Sequence, residues 1–276
     1  MHIYAFSDEA SPSMKGQIAA MKRNGLEGTE IRGVDGQNIS EITKSKAAEV
    51  MRMLKENGLS VWSIGSPIGK IPLDGGGFAE HLDLLKHVLE IANELECTNL
   101  RMFSFYIPKD VRTEDCRNEV IDRLSLMAET AEGSGVVLCH ENEKGIFGDN
   151  AARCAEILDA VPSLRCIFDP ANFIQCGQDV PQAWSLLGPR VYYMHIKDAL
   201  PDGTVVPAGM GIGHLPDILR DFTAQGGKAV TVEPHLQVFQ GLADLERDHK
   251  TPVQRFAYPT SDAAFDAACS ALKALL

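Results

Sequence analysis

Four side chains that can bind a metal ion each end a short apolar run in the second half of the chain. A polar or turn-prone stretch follows every run, so each donor is predicted to stand at the carboxyl end of a strand. Three carboxylates and one imidazole favour Mn²⁺, Mg²⁺ or Co²⁺, while Zn²⁺ suits them less well than a sulfur-rich site. We therefore predict one divalent metal ion, with Mn²⁺ as the first choice. Its ligands would end the runs Val136-Val-Leu-Cys-His-Glu141, Leu164-Arg-Cys-Ile-Phe-Asp169, Val191-Tyr-Tyr-Met-His195 and Ala229-Val-Thr-Val-Glu233.

Each of these residues also has an ordinary structural interpretation. Asp169 precedes a proline, which is typical of a turn, and Glu233 before Pro234 could simply end a strand. His195 could be a hydrogen-bonded core residue. The four together are harder to explain in this way, because consecutive strands each place one donor at the same end. Three carboxylates brought together without a cation would also repel one another strongly.

The elements that must position these residues alternate along the whole chain. Helical periodicity separates the apolar runs, for example the face formed by Phe78, Leu82, Leu85, Leu89 and Ala92. A second face, from Val120 to Ala131, follows Thr113, which we predict as a helix N-cap. The predicted strands are His2–Ser7, Thr29–Arg32, Ser60–Ile64, Asn99–Phe103, Val136–Glu141, Leu164–Asp169, Val191–His195 and Ala229–Glu233.

Eight strand-helix units predict a (β/α)8 barrel, the TIM barrel. The chain has 276 residues, 45% of them hydrophobic, and a barrel of this kind typically uses about 250 residues. An open doubly wound sheet is the alternative, but its usual cue is a G-x-G-x-x-G segment after the first strand. The stretch Asp8-Glu-Ala-Ser-Pro12 follows instead. No linker divides the sequence, so we predict a single domain over residues 1–276, with the metal at the carboxyl end of the barrel.

Composition excludes several classes of function. The net charge is −12 and the isoelectric point about 5.1, which argues against nucleic acid as a partner. No apolar stretch is long enough to span a membrane, and no secretion signal begins the sequence. Seven cysteines without a C-x-x-C pair indicate reduced thiols and a cytoplasmic location. The absence of a Walker-type segment argues against a nucleotide cofactor, and no G-x-S-x-G elbow supports serine hydrolysis.

Five segments of the second half resemble the xylose isomerase-like TIM-barrel family of sugar and sugar phosphate isomerases and epimerases. This group includes ketose 3-epimerases, hydroxypyruvate isomerases and inosose dehydratases, with AP endonucleases as more distant members. Three earlier segments look like the ends of the family's strands two to four: Glu30-Ile-Arg32, Ser63-Ile-Gly-Ser-Pro67 and Arg101-Met-Phe-Ser104. The five segments are His140-Glu-Asn-Glu143, Phe168-Asp-Pro-Ala-Asn172, His195-Ile-Lys-Asp198, Val206-Pro-Ala-Gly-Met-Gly211 and Val232-Glu-Pro-His235.

The resemblance implies separate roles for the four donors. Asp169 and His195 match holding ligands, while Glu141 and Glu233 match ligands that also act as acid and base. The implied reaction removes a proton next to a carbonyl of a small sugar, ketose or sugar phosphate and returns it through a metal-stabilised enediolate. Two bases on opposite faces would give epimerisation, whereas one base would give an aldose–ketose shift. A metal-dependent dehydratase and a non-catalytic sugar-binding barrel are the alternatives, and a homo-oligomer is left open.

The residues around the donors define an expected substrate shell. Asn172 stands where epimerases place a substrate-contacting His, and an amide can bind a hydroxyl but cannot supply a proton. Lys197 is expected either to contact substrate or to pair with Asp198. Glu143 shares strand parity with Glu141, so the sequence alone does not exclude it as a ligand. We favour Glu141 and assign Glu143 to the structural or substrate-facing residues of the loop.

Other members of this shell carry weaker signals. His235 could face the pocket or lie on its rim, and the glycine run from Gly209 to Gly213 is either a flexible loop or a substrate-contacting one. Trp62 is typical of a core residue but could reach the pocket from its strand. The complete set of expected substrate contacts is Asn172, Lys197, Glu143, His235, Trp62, Ser66 and Arg101.

Overall fold

Eight parallel strands close into a barrel in the computed structural model, which describes residues 1–238 and 258–276. Each strand pairs with the next one along the chain, and the last pairs with the first. The predicted (β/α)8 barrel is therefore confirmed. The strands are β1 (His2–Ala5), β2 (Gly28–Ile31), β3 (Ser60–Ile64), β4 (Asn99–Met102), β5 (Val137–Glu141), β6 (Arg165–Phe168), β7 (Val191–Ile196) and β8 (Ala229–Val232).

Helices surround the barrel. The loops after β2 and β7 each contain a short pair of antiparallel strands. These pairs are Gly33–Val34 with Gln37–Asn38 and Asp198–Ala199 with Val205–Val206. The helices among the described residues are α1 (Met14–Arg23), α2 (Lys44–Glu56), α3 (Phe78–Glu94), α4 (Arg117–Ala131), α5 (Ala151–Ala160), α6 (Pro170–Gln175), α7 (Val180–Leu187), α8 (Leu215–Ala224) and α9 (Ser261–Lys273).

The apolar helix faces pack on the outside of the barrel as predicted. Leu85, Leu89 and Ala92 of α3 are buried in the main core. The predicted N-cap of the following helix was wrong. Thr113 begins a 3₁₀ turn that runs to Cys116, and α4 starts only at Arg117, with Cys116 at its N-cap position. Thr113, Glu114, Asp115 and Cys116 form this extra turn instead of the first turn of the α-helix.

A smaller hydrophobic cluster fills the amino-terminal part of the barrel interior. Cys139, Ile167 and Tyr193 belong to it, and each stands two residues before a metal-capable side chain, on the same face of its strand. Trp62 packs here, with its ring centroid 5.3 Å from that of Tyr4. The cluster therefore lies one layer below the metal-capable residues. Trp62 is partly buried against this cluster, and the structure does not bring it to the expected substrate shell.

All seven cysteines are free, and six of them are buried. None of the helices in residues 1–238 and 258–276 combines the length and apolar character needed to cross a bilayer.

His81 connects α3 to the loop after β3, and its hydrogen bond there is expected to weaken in acid. Its Nε2 accepts a hydrogen bond from the backbone N–H of Gly69 at 2.7 Å, and burial lowers its pKa below 6.5. Because the folded-state pKa lies below the unfolded one, this stabilisation is complete above pH 6.5 and is lost as the pH falls through the folded pKa. We expect His81→Gln, which keeps an acceptor that cannot be protonated, to lose less stability on acidification than the wild type.

Urea unfolding between about pH 7 and about pH 5 measures this difference. His2→Gln is the matched control, because His2 is exposed. Parallel stability curves for His81→Gln and the wild type would contradict the prediction.

Candidate metal centre

Four strand ends bring their metal-capable side chains to one place. Glu141 ends β5, Asp169 follows β6, His195 lies in β7 and Glu233 follows β8. All four are buried, and one donor atom from each lies within 4.8 Å of those from the other three. This spread is compatible with a single divalent ion whose oxygen and nitrogen ligands each stand about 2.0–2.2 Å away.

Two of the donor oxygens are buried without an aligned hydrogen bond in the described part of the chain. They are Glu141 Oε2 and Asp169 Oδ2. Each instead faces a cation: Arg101 Nη1 lies 3.3 Å from the former and Lys197 Nζ 2.8 Å from the latter. Carboxylate oxygens that are buried and lack an aligned hydrogen bond are suited to bind a hard cation. The residues present therefore fit the divalent metal that the sequence predicts.

Asp169 serves both as a helix cap and as a donor. Its Oδ1 accepts the backbone N–H of Asn172 at 3.0 Å at the start of α6, with Pro170 as the first helical residue. The other oxygen is thereby turned toward the site. Asn142 holds the same segment through two bonds, since its amide N–H₂ donates to the backbone carbonyl of Asp169 and its carbonyl oxygen accepts the backbone N–H. Sequence reasoning did not select Asn142, although it directly follows Glu141.

Lys197 is the cation at the centre of this group. Its Nζ lies 2.8 Å from Asp169 Oδ2 and 2.9 Å from Glu233 Oε2. Asp198, which the sequence offered as an alternative partner, instead accepts backbone N–H groups of the glycine run. Burial alone would lower the pKa of Lys197, but the surrounding carboxylates raise it well above 10.5. Burial alone would raise the pKa of Glu233, yet Lys197 and His235 lower it well below 4.5. Both groups are therefore charged at neutral pH.

Asp169 behaves in the opposite way to Glu233. Burial, together with the neighbouring charges of Glu233 and Glu141, raises its pKa to about 7, although Lys197 acts to lower it. Burial is the largest cause of the raised pKa of Asp169, and the repulsion between carboxylates that the sequence predicted adds to it.

His195 has a carboxylate on each side of its ring. Nδ1 lies 2.8 Å from Glu141 Oε1, and Nε2 lies 3.0 Å from Glu30 Oε2. Burial would lower the pKa of His195, but these carboxylates raise it well above 6.5. The sequence indicated Glu30 only as part of the end of strand two, with no role in the site.

Arg101 and Ser66 form the wall next to Glu141. The Arg101 guanidinium lies 4.9 Å from the ring centroid of Phe6, and Nη2 donates to the carbonyl of Gly65. The Ser66 hydroxyl donates to the backbone carbonyl of Arg101 at 2.6 Å and accepts the N–H of Ile68. Ser66 thus ties β4 to the loop after β3, and its hydroxyl is occupied by the protein itself.

Glu143 lies beyond the end of β5, apart from the four donors. Lys70 Nζ is 3.1 Å from its Oε2 and Lys144 Nζ is 3.2 Å from its Oε1. Burial would raise the pKa of Glu143, but the nearby lysines lower it below its ordinary range. The carboxylate therefore stays ionised as the centre of a charged cluster on the barrel rim.

His235 lies on the opposite side of the site, in a left-handed backbone conformation. Its backbone N–H donates to Glu9 Oε2 at 2.7 Å, and its Nδ1 lies 3.0 Å from Glu9 Oε1 and 3.5 Å from Glu233 Oε1. These three residues form a second close group of donors. Arg32 already supplies positive charge there, with Nη2 3.1 Å from Glu9 and Nη1 3.7 Å from Glu233.

The Asn172 side chain, in the first turn of α6, lies beside Glu141. Its amide N–H₂ donates to the backbone carbonyl of Asn142 at 2.9 Å and lies 3.4 Å from Glu141 Oε1. Its carbonyl oxygen is buried with no hydrogen-bond partner within the described ranges. The fixed orientation of the amide presents an acceptor, which suits a hydroxyl group of a ligand.

The glycine run after β7 is an ordered loop that wraps around a carboxylate. Asp198 accepts the backbone N–H groups of Gly209, Gly211 and Gly213 at 2.9, 3.0 and 2.9 Å. A Cβ on Gly211 would stand 2.3 Å from both the carbonyl oxygen of Ala199 and Oδ1 of Asp198. The glycines therefore permit a close approach of backbone to carboxylate, and Asp198 is a loop anchor.

This contact predicts the effect of Gly211→Ala. We expect the substitution to lower the free energy of unfolding by about 1–3 kcal/mol, because the loop must move away from Asp198. Thermal unfolding measures the loss. Gly76→Ala is the control, because an added Cβ there meets no atom within 4 Å and, as at Gly211, φ is not positive. Equal stability of Gly211→Ala and the wild type would contradict the close packing.

Comparison with known proteins identifies the family to which this barrel belongs. The family model described as xylose isomerase-like TIM barrel matches residues 18–250. The chain belongs to this family. No curated protein sequence matches it significantly.

Solved structures of similar shape include several xylose isomerase-like barrels. The IolI protein with a bound zinc atom has a TM-score of 0.77 at 16% identity, covering 100% of this chain and 98% of that one. An L-ribulose 3-epimerase has a TM-score of 0.75 at 19% identity, with coverages of 100% and 94%. The probable 3-DHS dehydratase AsbF from Bacillus anthracis has a TM-score of 0.73 at 16% identity, with coverages of 99% and 98%. Identities this low establish a shared fold, and one fold carries different reactions.

Proposed function

We propose that this protein is a divalent-metal-dependent isomerase or epimerase of a small sugar, ketose or sugar phosphate, acting by proton transfer through an enediolate. The observation that carries the proposal is the convergence of Glu141, Asp169, His195 and Glu233, buried and with donor atoms within 4.8 Å of one another. Mn²⁺ is the proposed ion, because three of the four donors are carboxylates. Co²⁺, Mg²⁺ and Zn²⁺ remain the other candidates.

The proposed chemistry gives the two glutamates the proton transfers. A divalent cation held by the four donors would supply positive charge where a substrate carbonyl oxygen becomes negative. Glu233 is ionised because Lys197 and His235 lower its pKa, and the ionised form is the one that can accept a proton. Glu141, held between Arg101 and His195, is the proposed partner that returns the proton. Transfer on opposite faces of the substrate gives epimerisation, and transfer on one face gives isomerisation.

The proposed substrate contacts are fewer than the sequence suggested. Lys197 carries a localised charge beside Asp169 and Glu233 and is suited to bind a substrate oxygen. Asn172 offers its carbonyl oxygen to a hydroxyl group. Arg101, Glu143 and His235 line the same end of the barrel, whereas Ser66 has a structural bond and Trp62 lies in the layer below.

Hydrogen exchange with solvent tests this proposal. The chelator-treated protein is reloaded with Mn²⁺ and mixed in D₂O with a panel of ketoses and their phosphates, and nuclear magnetic resonance follows deuterium at the carbon next to the carbonyl. We expect deuterium incorporation and a new epimer or aldose for at least one compound, both abolished by chelation. Binding of a ketose without any exchange would contradict the proposal and favour a sugar-binding barrel.

A dehydratase is the second candidate, favoured by the similarity in shape to AsbF. It would share the removal of a proton next to a carbonyl but would then expel a hydroxyl group as water. Enone absorbance that appears during the same incubation, without a new epimer, would identify this reaction instead.

A further inference from the structure

The ring of His195 is oriented from below by a carboxylate that is not among the four donors. Nδ1 faces the donor group, 2.8 Å from Glu141 Oε1 and 3.5 Å from Glu233 Oε2. Nε2 points the other way and lies 3.0 Å from Glu30 Oε2. Both His195 and Glu30 are fully buried, so no water competes for either nitrogen.

Glu30 is in turn held by the layer beneath it. The Tyr193 hydroxyl donates to Glu30 Oε1 at 3.0 Å and lies 3.1 Å from Ser63 Oγ. Tyr193 precedes His195 by two residues, so both side chains project from the same face of β7. The two oxygens of Glu30 are therefore directed to separate partners, one to the hydroxyl and one to the imidazole.

A buried carboxylate is costly unless it has a partner that donates hydrogen bonds or carries positive charge. For Glu30, the partner in line with Oε2 is His195 Nε2. Carboxylates lie beside both ring nitrogens, so the ring can donate from both when no ion is bound. An ion held by the donor group would need the lone pair of the nitrogen that faces it, which is Nδ1, and that nitrogen would release its proton. The remaining proton would stay on Nε2, where Glu30 accepts it.

We propose that Glu30 is a positioning residue, which fixes His195 with its proton on Nε2 and so makes Nδ1 the metal-binding atom. This inference rests on the proposed metal site. Metal-bound histidines commonly donate their other ring N–H to a carboxylate, and loss of such a partner weakens metal binding by about 10- to 100-fold. Glu30 contacts His195 alone among the four donors in the described part of the chain, so it acts on the metal site through His195.

Glu30→Gln tests the inference through metal binding, independently of turnover. Titration calorimetry with Mn²⁺ and Zn²⁺ is expected to show about 10- to 100-fold weaker binding than the wild type. Glu27→Gln is the matched control, because Glu27 also pairs with a histidine, His2, but on the exposed surface. Its metal affinity is expected to equal that of the wild type.

The state of the ring is read directly from long-range ¹H–¹⁵N spectra of the Zn²⁺-loaded wild type, in which His195 is expected to carry its proton on Nε2. Tyr193→Phe removes one hydrogen bond to Glu30, so its metal binding should be weaker than that of the wild type but stronger than that of Glu30→Gln. If Glu30→Gln does not fold, weaker metal binding by Tyr193→Phe provides the test of the role of Glu30. Wild-type affinity in both variants, or a proton on Nδ1, would overturn the inference about Glu30 alone. A wild-type protein that binds neither ion would overturn the proposed metal site as well.

Discussion

Glu233→Gln is expected to lower the rate of hydrogen exchange into a ketose substrate by about 10²- to 10⁴-fold, the usual contribution of a positioned general base. The substitution keeps the size of the side chain but removes the charge that takes up the proton. Lys197 Nζ, 2.9 Å away, and His195 Nδ1, 3.5 Å away, hold this carboxylate in the wild type. Deuterium incorporation at the carbon next to the carbonyl measures the change at saturating Mn²⁺.

Metal content must be measured in the same samples, since Glu233 is also a proposed ligand. Glu96→Gln makes the same chemical change at an exposed surface pair with Lys55 and is expected to leave exchange unchanged. Glu141→Gln should abolish net epimerisation as Glu233→Gln does if both residues move protons. Full exchange by Glu233→Gln with metal bound would exclude Glu233 as the base.

Lys197→Met is expected to destabilise the chelator-treated protein by about 3–5 kcal/mol, the typical cost of removing one partner from a buried charge pair. The ammonium group of Lys197 lies within 3 Å of oxygens from two carboxylates, Asp169 and Glu233. Without it, both remain buried with less positive charge nearby. Addition of Mn²⁺ should then stabilise the variant by more than it stabilises the wild type, because the ion supplies the missing charge.

Urea unfolding in the presence of chelator and in the presence of Mn²⁺ measures both effects. Lys144→Met is the control, since Lys144 contacts Gln175 and Glu143 at the rim, away from the four donors. We expect a smaller loss for Lys144→Met and no extra gain from Mn²⁺. Equal stability of Lys197→Met and the wild type under chelation would show that Lys197 does not balance the buried carboxylates.

The positions of the barrel strands could be predicted from the sequence because parallel strands that are buried on both faces have short, continuous apolar sequences. Every predicted strand overlaps an observed one, from β1 at His2–Ala5 to β8 at Ala229–Val232. The boundary before α4 was missed, since the residues after Thr113 are compatible with either an α-helical or a 3₁₀ first turn. Local sequence therefore predicted the elements well and their ends less well.

The sequence by itself determined the fold and which four side chains stand at the carboxyl ends of β5 to β8, because strand period and order are local properties. Tertiary structure alone decided their partners. Lys197 pairs with Asp169 and Glu233 rather than with Asp198 because alternate residues of an extended chain face opposite sides, and Asp198 turns to the glycine loop. Glu30 meets His195 across 165 residues of sequence. Trp62 lies in the layer of side chains beneath the metal-capable residues. Such contacts depend on the closure and register of the barrel, which bring distant strands face to face.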